Sequence, residues 1–124
     1  MHGKILIYGN DLTLISTRHL VLERAGYRVL SATQFASAML GLMNEHIDVL
    51  ILCHSLRDEE RRAMLETAHA ITPDVKCVVL SFNGCEVPPG DAEVFEGLHG
   101  PTALLTVIGR ILNNKVLPRM LASR

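Results

Sequence analysis

Cys53 and His54 stand side by side at the end of an apolar run, and a thiol next to an imidazole is the pairing here that could do chemistry. Such a pair serves nucleophilic or redox reactions when the thiol is ionised. Successive residues leaving a strand point to opposite faces, however, which arranges an adjacent pair poorly for proton transfer, and a free cysteine also packs as a small hydrophobe. Packing is therefore the better-supported reading of Cys53, with thiol chemistry as the alternative. The other cysteines are Cys77 and Cys85, and an odd count of 3 fits neither a disulfide framework nor a Cys-x-x-Cys metal site. Cys85 could reach the same sheet edge as Cys53 and form a regulatory disulfide with it, whereas Cys77 lies earlier in its strand and faces elsewhere. The six histidines are scattered without a His-x-x-x-His pair, which gives a metal site little support. Gly9-Asn10-Asp11 is too poor in glycine and hydroxyl residues for a phosphate loop, leaving nucleotide or flavin binding a minor alternative. Asp11 reads as a helix cap rather than a metal ligand, and no cofactor is expected.

Positioning these residues falls to alternating strands and helices. Residues 47–53 (IDVLILC) form a short unbroken apolar run, the pattern of a strand buried on both faces, and Cys53 sits at its carboxyl end. Open α/β sheets bind their ligands just outside such strand ends. Residues 4–8 (KILIY) are a first strand, closed by the turn Gly9-Asn10-Asp11. In the following helix Leu14, Val21, Leu22 and Ala25 share one face, while Arg18, Glu23 and Arg24 can face water; Gly26 stops the helix with a left-handed cap. Residues 27–32 (YRVLSA) read as a second strand. Thr33 then caps a helix whose core stripe is Phe35, Ala38, Met39, Leu42 and Met43.

Beyond the central strand, Asp58-Glu59-Glu60 open a third helix, with Ala63, Met64, Ala68 and Ile71 inward and Pro73 at its end. Residues 75–81 (VKCVVLS) are a fourth buried strand. Pro88-Pro89-Gly90 then oppose a regular helix, so the next helix is expected to be short or missing. Residues 93–98 (EVFEGL) suggest an edge strand, and residues 102–113 a last helix. Its Leu104, Leu105, Val107, Ile108, Ile111 and Leu112 cover more than one core-facing stripe, which makes it a candidate interaction surface. Residues 115–124 read as a tail broken by Pro118. The spacing demands parallel pairing through right-handed crossovers, and the flavodoxin-like strand order 2-1-3-4-5 with helices on both faces is the natural solution.

At 124 residues the chain reads as one domain, 1–124, able to bury a core without metal or disulfide. Hydrophobic residues at 48% and charged residues at 20%, with a mean hydropathy of +0.26, argue against disorder. A formal net charge of -1 disfavours nucleic-acid or anionic-membrane partners. The apolar runs fall short of a membrane span and no secretory leader is apparent, so a cytoplasmic location is expected.

Several stretches together resemble the receiver domain of two-component response regulators over nearly the whole chain. They are the apolar first strand ending in a polar turn, Ala25-Gly26-Tyr27 after the first helix, IDVLIL before Cys53, VVLS in the fourth strand, and Gly100-Pro101 before the last helix. The resemblance implies a phospho-accepting aspartate ending the third strand, an acidic pair holding Mg²⁺ after the first, a Ser/Thr closing the fourth, and a lysine before a proline after the fifth. These positions fall on Cys53, on Gly9 and Asn10, on Ser81, and on Gly100 before Pro101, with Asp11 one residue beyond the pair. The resemblance also suggests a cis Gly100-Pro101 peptide. One carboxylate, an amide and a thiol cannot replace the hard oxygen donors Mg²⁺ needs, and without metal and lysine nothing neutralises a transferring phosphoryl group. The chain is therefore expected to be a phosphorylation-incompetent, non-enzymatic signalling module of the phosphorelay type. It would act by protein-protein contact, with a pathway protein or with itself through the last helix; the alternative is a Cys53-centred thiol sensor or small enzyme.

Overall fold

The structure is a computed structural model that describes residues 3–53, 55–80, 92–95 and 100–114, with side chains described over 3–53, 55–80 and 104–112. Its elements in chain order are β1 (Lys4–Tyr8), α1 (Leu12–Arg24), β2 (Arg28–Ala32), α2 (Phe35–Asn44), β3 (Val49–Leu52), α3 (Asp58–Ile71), β4 (Lys76–Leu80), β5 (Ala92–Phe95) and α4 (Gly100–Asn114). The strands pair in parallel in the order β2-β1-β3-β4, with the four-residue β5 alongside β4. β1 lies between β2 and β3, with Ile7 level with both Ser31 and Ile51. That central placement explains why β1 and β3 read as continuous apolar runs: helices cover both of their faces.

Side-chain alternation divides the core in two. On one face Leu6, Tyr8, Leu50, Leu52 and Val79 meet Ala38 and Leu42 of α2 and Met64, Leu65 and Ala68 of α3. On the other Ile5, Ile7, Val49, Ile51 and Val78 meet Ile15 and Leu22 of α1 and Leu104, Val107, Ile108 and Ile111 of α4. Cys53 belongs to the second face and Cys77 to the first, so the two thiols lie on opposite sides of the sheet.

Local signals set most boundaries. Asp11 caps α1, its Oδ1 accepting from the Leu14 N–H at 3.2 Å. Gly26 ends the helix at φ 102°, a conformation that favours glycine, as its N–H and that of Tyr27 return to Glu23 and Leu22 carbonyls. Asp58, Glu59 and Glu60 occupy the first turn of α3, at the positive end of its dipole.

Other expectations need correction. Thr33 does not cap α2; Gln34 holds that position and makes no side-chain cap. Met43 is 60% exposed, because Ala38 and Leu42 carry the buried stripe. In α1 the buried residues are Ile15 and Leu22; Ala25 is exposed and Leu14 and Val21 are half-buried. The last helix is no open apolar surface along the residues proposed for it: Leu104, Val107, Ile108 and Ile111 are buried, and Leu105 and Leu112 pack half-buried against the same core. Its wide apolar face is what a helix needs to cover a sheet and meet α1 at its flank. Among the described residues no peptide is cis, and Gly100 and Pro101 open α4 instead. The region expected to hold a short or absent helix, and the tail, lie outside the described residues.

Candidate functional site at the carboxyl ends of the strands

The ladder continues just past β1 and β3 and brings their ends together. The Gly9 N–H donates to the Ala32 carbonyl at 3.2 Å and the Cys53 N–H to the Tyr8 carbonyl at 3.0 Å, which sets Gly9 beside Cys53. A Cβ on Gly9 would lie 2.7 Å from Cys53 Cβ, 3.1 Å from its Sγ and 3.2 Å from Ser55 Oγ. No side chain fits at residue 9 while Cys53 stands where it does. Gly9 is thus a close-packing residue here, and the space that a carboxylate would take is filled by the thiol and Ser55.

Cys53 is 1% exposed. Arg18 Nη1 donates to its Sγ at 3.3 Å. Burial pushes the Cys53 thiol above its ordinary pKa; the Arg18 charge and hydrogen bond oppose that, and Asp11 adds slightly to it. Desolvation prevails, so the thiol is held protonated rather than activated. Arg18 was expected to face water, yet it follows Ile15 by three residues and precedes Leu22 by four, which places it on the inward stripe of α1. That spacing was the signal that could have found it.

Asn10 and Asp11 leave the strand end for other work. The Asn10 N–H donates to Ser55 Oγ at 2.8 Å, and its Nδ2 donates to the Ser55 carbonyl at 3.3 Å and to Glu60 Oε1 at 3.2 Å. Glu60 Oε1 also accepts from the Arg57 N–H at 3.1 Å at the start of α3. The loop after β1 is thereby tied to the loop after β3 and to the head of α3. Ser55 and Glu60 carry this latch, and neither was singled out by sequence; a serine two residues past a strand and an acid in a first helical turn each have an ordinary local explanation.

The Mg²⁺ that the resemblance implies does not fit this donor set. Asp11 spends its carboxylate on capping α1, Glu60 spends its own on Asn10 and Arg57, and the other groups described above at the strand ends are an amide, the Ser55 hydroxyl and a buried thiol. Among the described residues no three His, Cys, Asp or Glu side chains come together as a metal site. Of the other expected pocket residues, Gly100 and Pro101 lie in the first turn of α4 and Ser81 lies outside the described residues; His54 and Cys85 lie outside them too, and with Cys85 the disulfide considered above.

No protein-family profile matches the chain, and no curated protein matches it. Solved structures do. The signal receiver domain of a putative LuxO repressor protein from Vibrio parahaemolyticus superposes with a TM-score of 0.80 at 12% identity, covering 98% of each chain. A CheY-like response regulator receiver domain from Methanospirillum hungatei gives 0.77 at 22% identity, covering 92% of this chain and 96% of that one. A response regulator from Thermotoga maritima gives 0.76 at 19% identity, covering 91% and 99%. The chain has the CheY-like receiver fold.

Proposed function

We propose that this chain is a receiver-fold signalling module of the two-component type that works by protein-protein contact, without aspartyl phosphorylation and without catalysing a reaction. The observation that carries this reading is Cys53. It occupies the end of β3, where the receiver resemblance implies a phospho-accepting carboxylate, and it is sealed between Gly9 and the Arg18 guanidinium. Aspartyl phosphorylation needs an ionised carboxylate nucleophile, a cation to gather the developing charge and an open line of attack. A buried, protonated thiol supplies neither the carboxylate nor the open line of attack, and the Arg18 guanidinium beside it is engaged with the sulfur. The Asn10–Ser55–Glu60 latch supports the same reading, because it ties the two loops in one arrangement without any added charge. A thiol-sensing role is the weaker reading, since burial opposes ionisation of Cys53.

The test is intact-protein mass after incubation with acetyl phosphate and Mg²⁺. The expected outcome is an unmodified chain under conditions that phosphorylate an ordinary receiver run in parallel. A stable phosphoryl adduct on this chain would overturn the reading.

A further inference from the structure

At the strand ends, where the receiver resemblance implies a cation, a single side-chain amide joins the loops. Asn10 Nδ2 carries two protons, and it donates to the Ser55 carbonyl at 3.3 Å and to Glu60 Oε1 at 3.2 Å. The Asn10 backbone N–H donates to Ser55 Oγ at 2.8 Å and fixes the loop against that residue. A main-chain carbonyl and a carboxylate, both from the β3–α3 side, thus converge on one nitrogen. Oxygens of these two kinds are the donors that Mg²⁺ and Ca²⁺ take. Glu60 also brings its charge to the strand ends: burial raises the Tyr8 phenol above its ordinary pKa, and Glu60 adds to the rise.

We infer that Asn10 is a positioning residue that closes this edge to divalent cations, its amide holding the Ser55 carbonyl and the Glu60 carboxylate together in place of a metal. The reason lies in donors and acceptors. Aspartate has the shape of asparagine, but once ionised it only accepts hydrogen bonds. In Asn10→Asp an oxygen would replace Nδ2, at 3.2 Å from a carboxylate oxygen and 3.3 Å from a carbonyl oxygen. Both approaches are repulsive, and like charges so close resist ionising together. Those oxygens, with the Asp11 carboxylate on the next residue, form a hard donor set that a divalent cation relieves. With the amide in place no such set arises. Glu60 is then met by N–H donors from Asn10 and Arg57, and Asp11 caps α1. The inference rests on the reading that this edge works without aspartyl phosphorylation, and names the residue that makes it independent of metal.

The experiment is differential scanning calorimetry of the full chain in EDTA and in about 10 mM MgCl₂ at equal ionic strength. It compares the wild type, Asn10→Asp, Asn10→Ala and the double variant Asn10→Asp with Glu60→Gln, each shown to be folded by circular dichroism. Asn10→Asp should melt below the wild type in EDTA and rise by roughly 3–6 °C in MgCl₂, the shift of a site with a Kd of about 1 mM. Asn10→Ala should also melt below the wild type but gain nothing from Mg²⁺, and adding Glu60→Gln to Asn10→Asp should shrink the rise. The wild type should not move. An Asn10→Asp chain as stable as the wild type in EDTA, one that gains nothing from Mg²⁺, an Asn10→Ala chain that rises equally, or a wild type that rises would each overturn the inference. The mass of the wild type after acetyl phosphate and Mg²⁺ is read separately: a phosphoryl adduct overturns the proposed function, while the melting comparison alone decides the role of Asn10.

Discussion

Cys53 shows how one residue can look reactive in a sequence and be held inert in a fold. Its neighbour in sequence is His54, but the partner the structure gives it is Arg18, from a helix 35 residues away in the chain. The guanidinium favours the thiolate and burial opposes it, with burial ahead. The consequence for stability has a definite sign. The unfolded thiol ionises near its ordinary value of 9.0, while the folded one keeps its proton to higher pH. Above that point the native state binds more protons than the unfolded state, so stability present below pH 9 falls as pH rises toward the folded pKa. Tyr8, also raised, chiefly by burial, adds a fall of the same sign starting near 10.0. Cys53→Ser removes the first contribution and keeps an oxygen for Arg18. Its unfolding midpoint should decline less steeply than that of the wild type between pH 9 and 10; identical slopes in denaturant titrations would show that the thiol is not buried neutral.

At the scale of elements, α4 is where sequence and structure part. Six apolar residues on one short helix suggested a surface awaiting a partner, yet the structure spends them on the sheet and on the flank of α1. Ile108, fully buried, decides between the two roles. Truncation of a buried isoleucine to alanine costs about 2–5 kcal/mol, whereas a surface site moves stability by about 0.5 kcal/mol or less. Ile108→Ala should therefore shift the urea midpoint strongly and Leu40→Ala hardly at all; the reverse order would restore α4 as the exposed helix. The difference has a physical reason. Strand cores were legible because an unbroken run such as VLIL must be covered on both sides, and turns were legible because Asp11 and Gly26 do one local job each. Helix faces were less so. A helix with apolar residues over half its circumference does not say whether the excess meets a sheet, a neighbouring helix or another chain. An arginine such as Arg18 on the inward stripe also reads as solvent-facing until the thiol it reaches is known. Of the candidate site, the clustering of Gly9, Asn10 and Cys53 at the strand ends followed from topology. The latch through Ser55 and Glu60 did not, because it joins three separate segments.

For the molecule as a whole, the question is whether the carboxyl edge of the sheet still responds to a small ion. Two carboxylates at the loops of this edge are engaged, Asp11 with the α1 amide of Leu14 and Glu60 with Asn10 and Arg57, so drawing either onto Mg²⁺ would uncap a helix or open the latch. Losing a cap alone costs about 1 kcal/mol. A ligand that binds only the folded state stabilises it by RT ln(1 + [L]/Kd), so a site with a Kd of about 1 mM would contribute about 1.4 kcal/mol at 10 mM Mg²⁺. For a domain of 124 residues that raises the melting temperature by roughly 3–6 °C, well outside scan error. We expect no such rise when 10 mM MgCl₂ is compared with NaCl of equal ionic strength by differential scanning calorimetry. A shift of several degrees, lost in Asp11→Ala, would mean that the cap releases its carboxylate to a metal, and would reopen the strand ends as a charge-sensing site. An unchanged melting temperature leaves the cap and the latch engaged as the structure shows them.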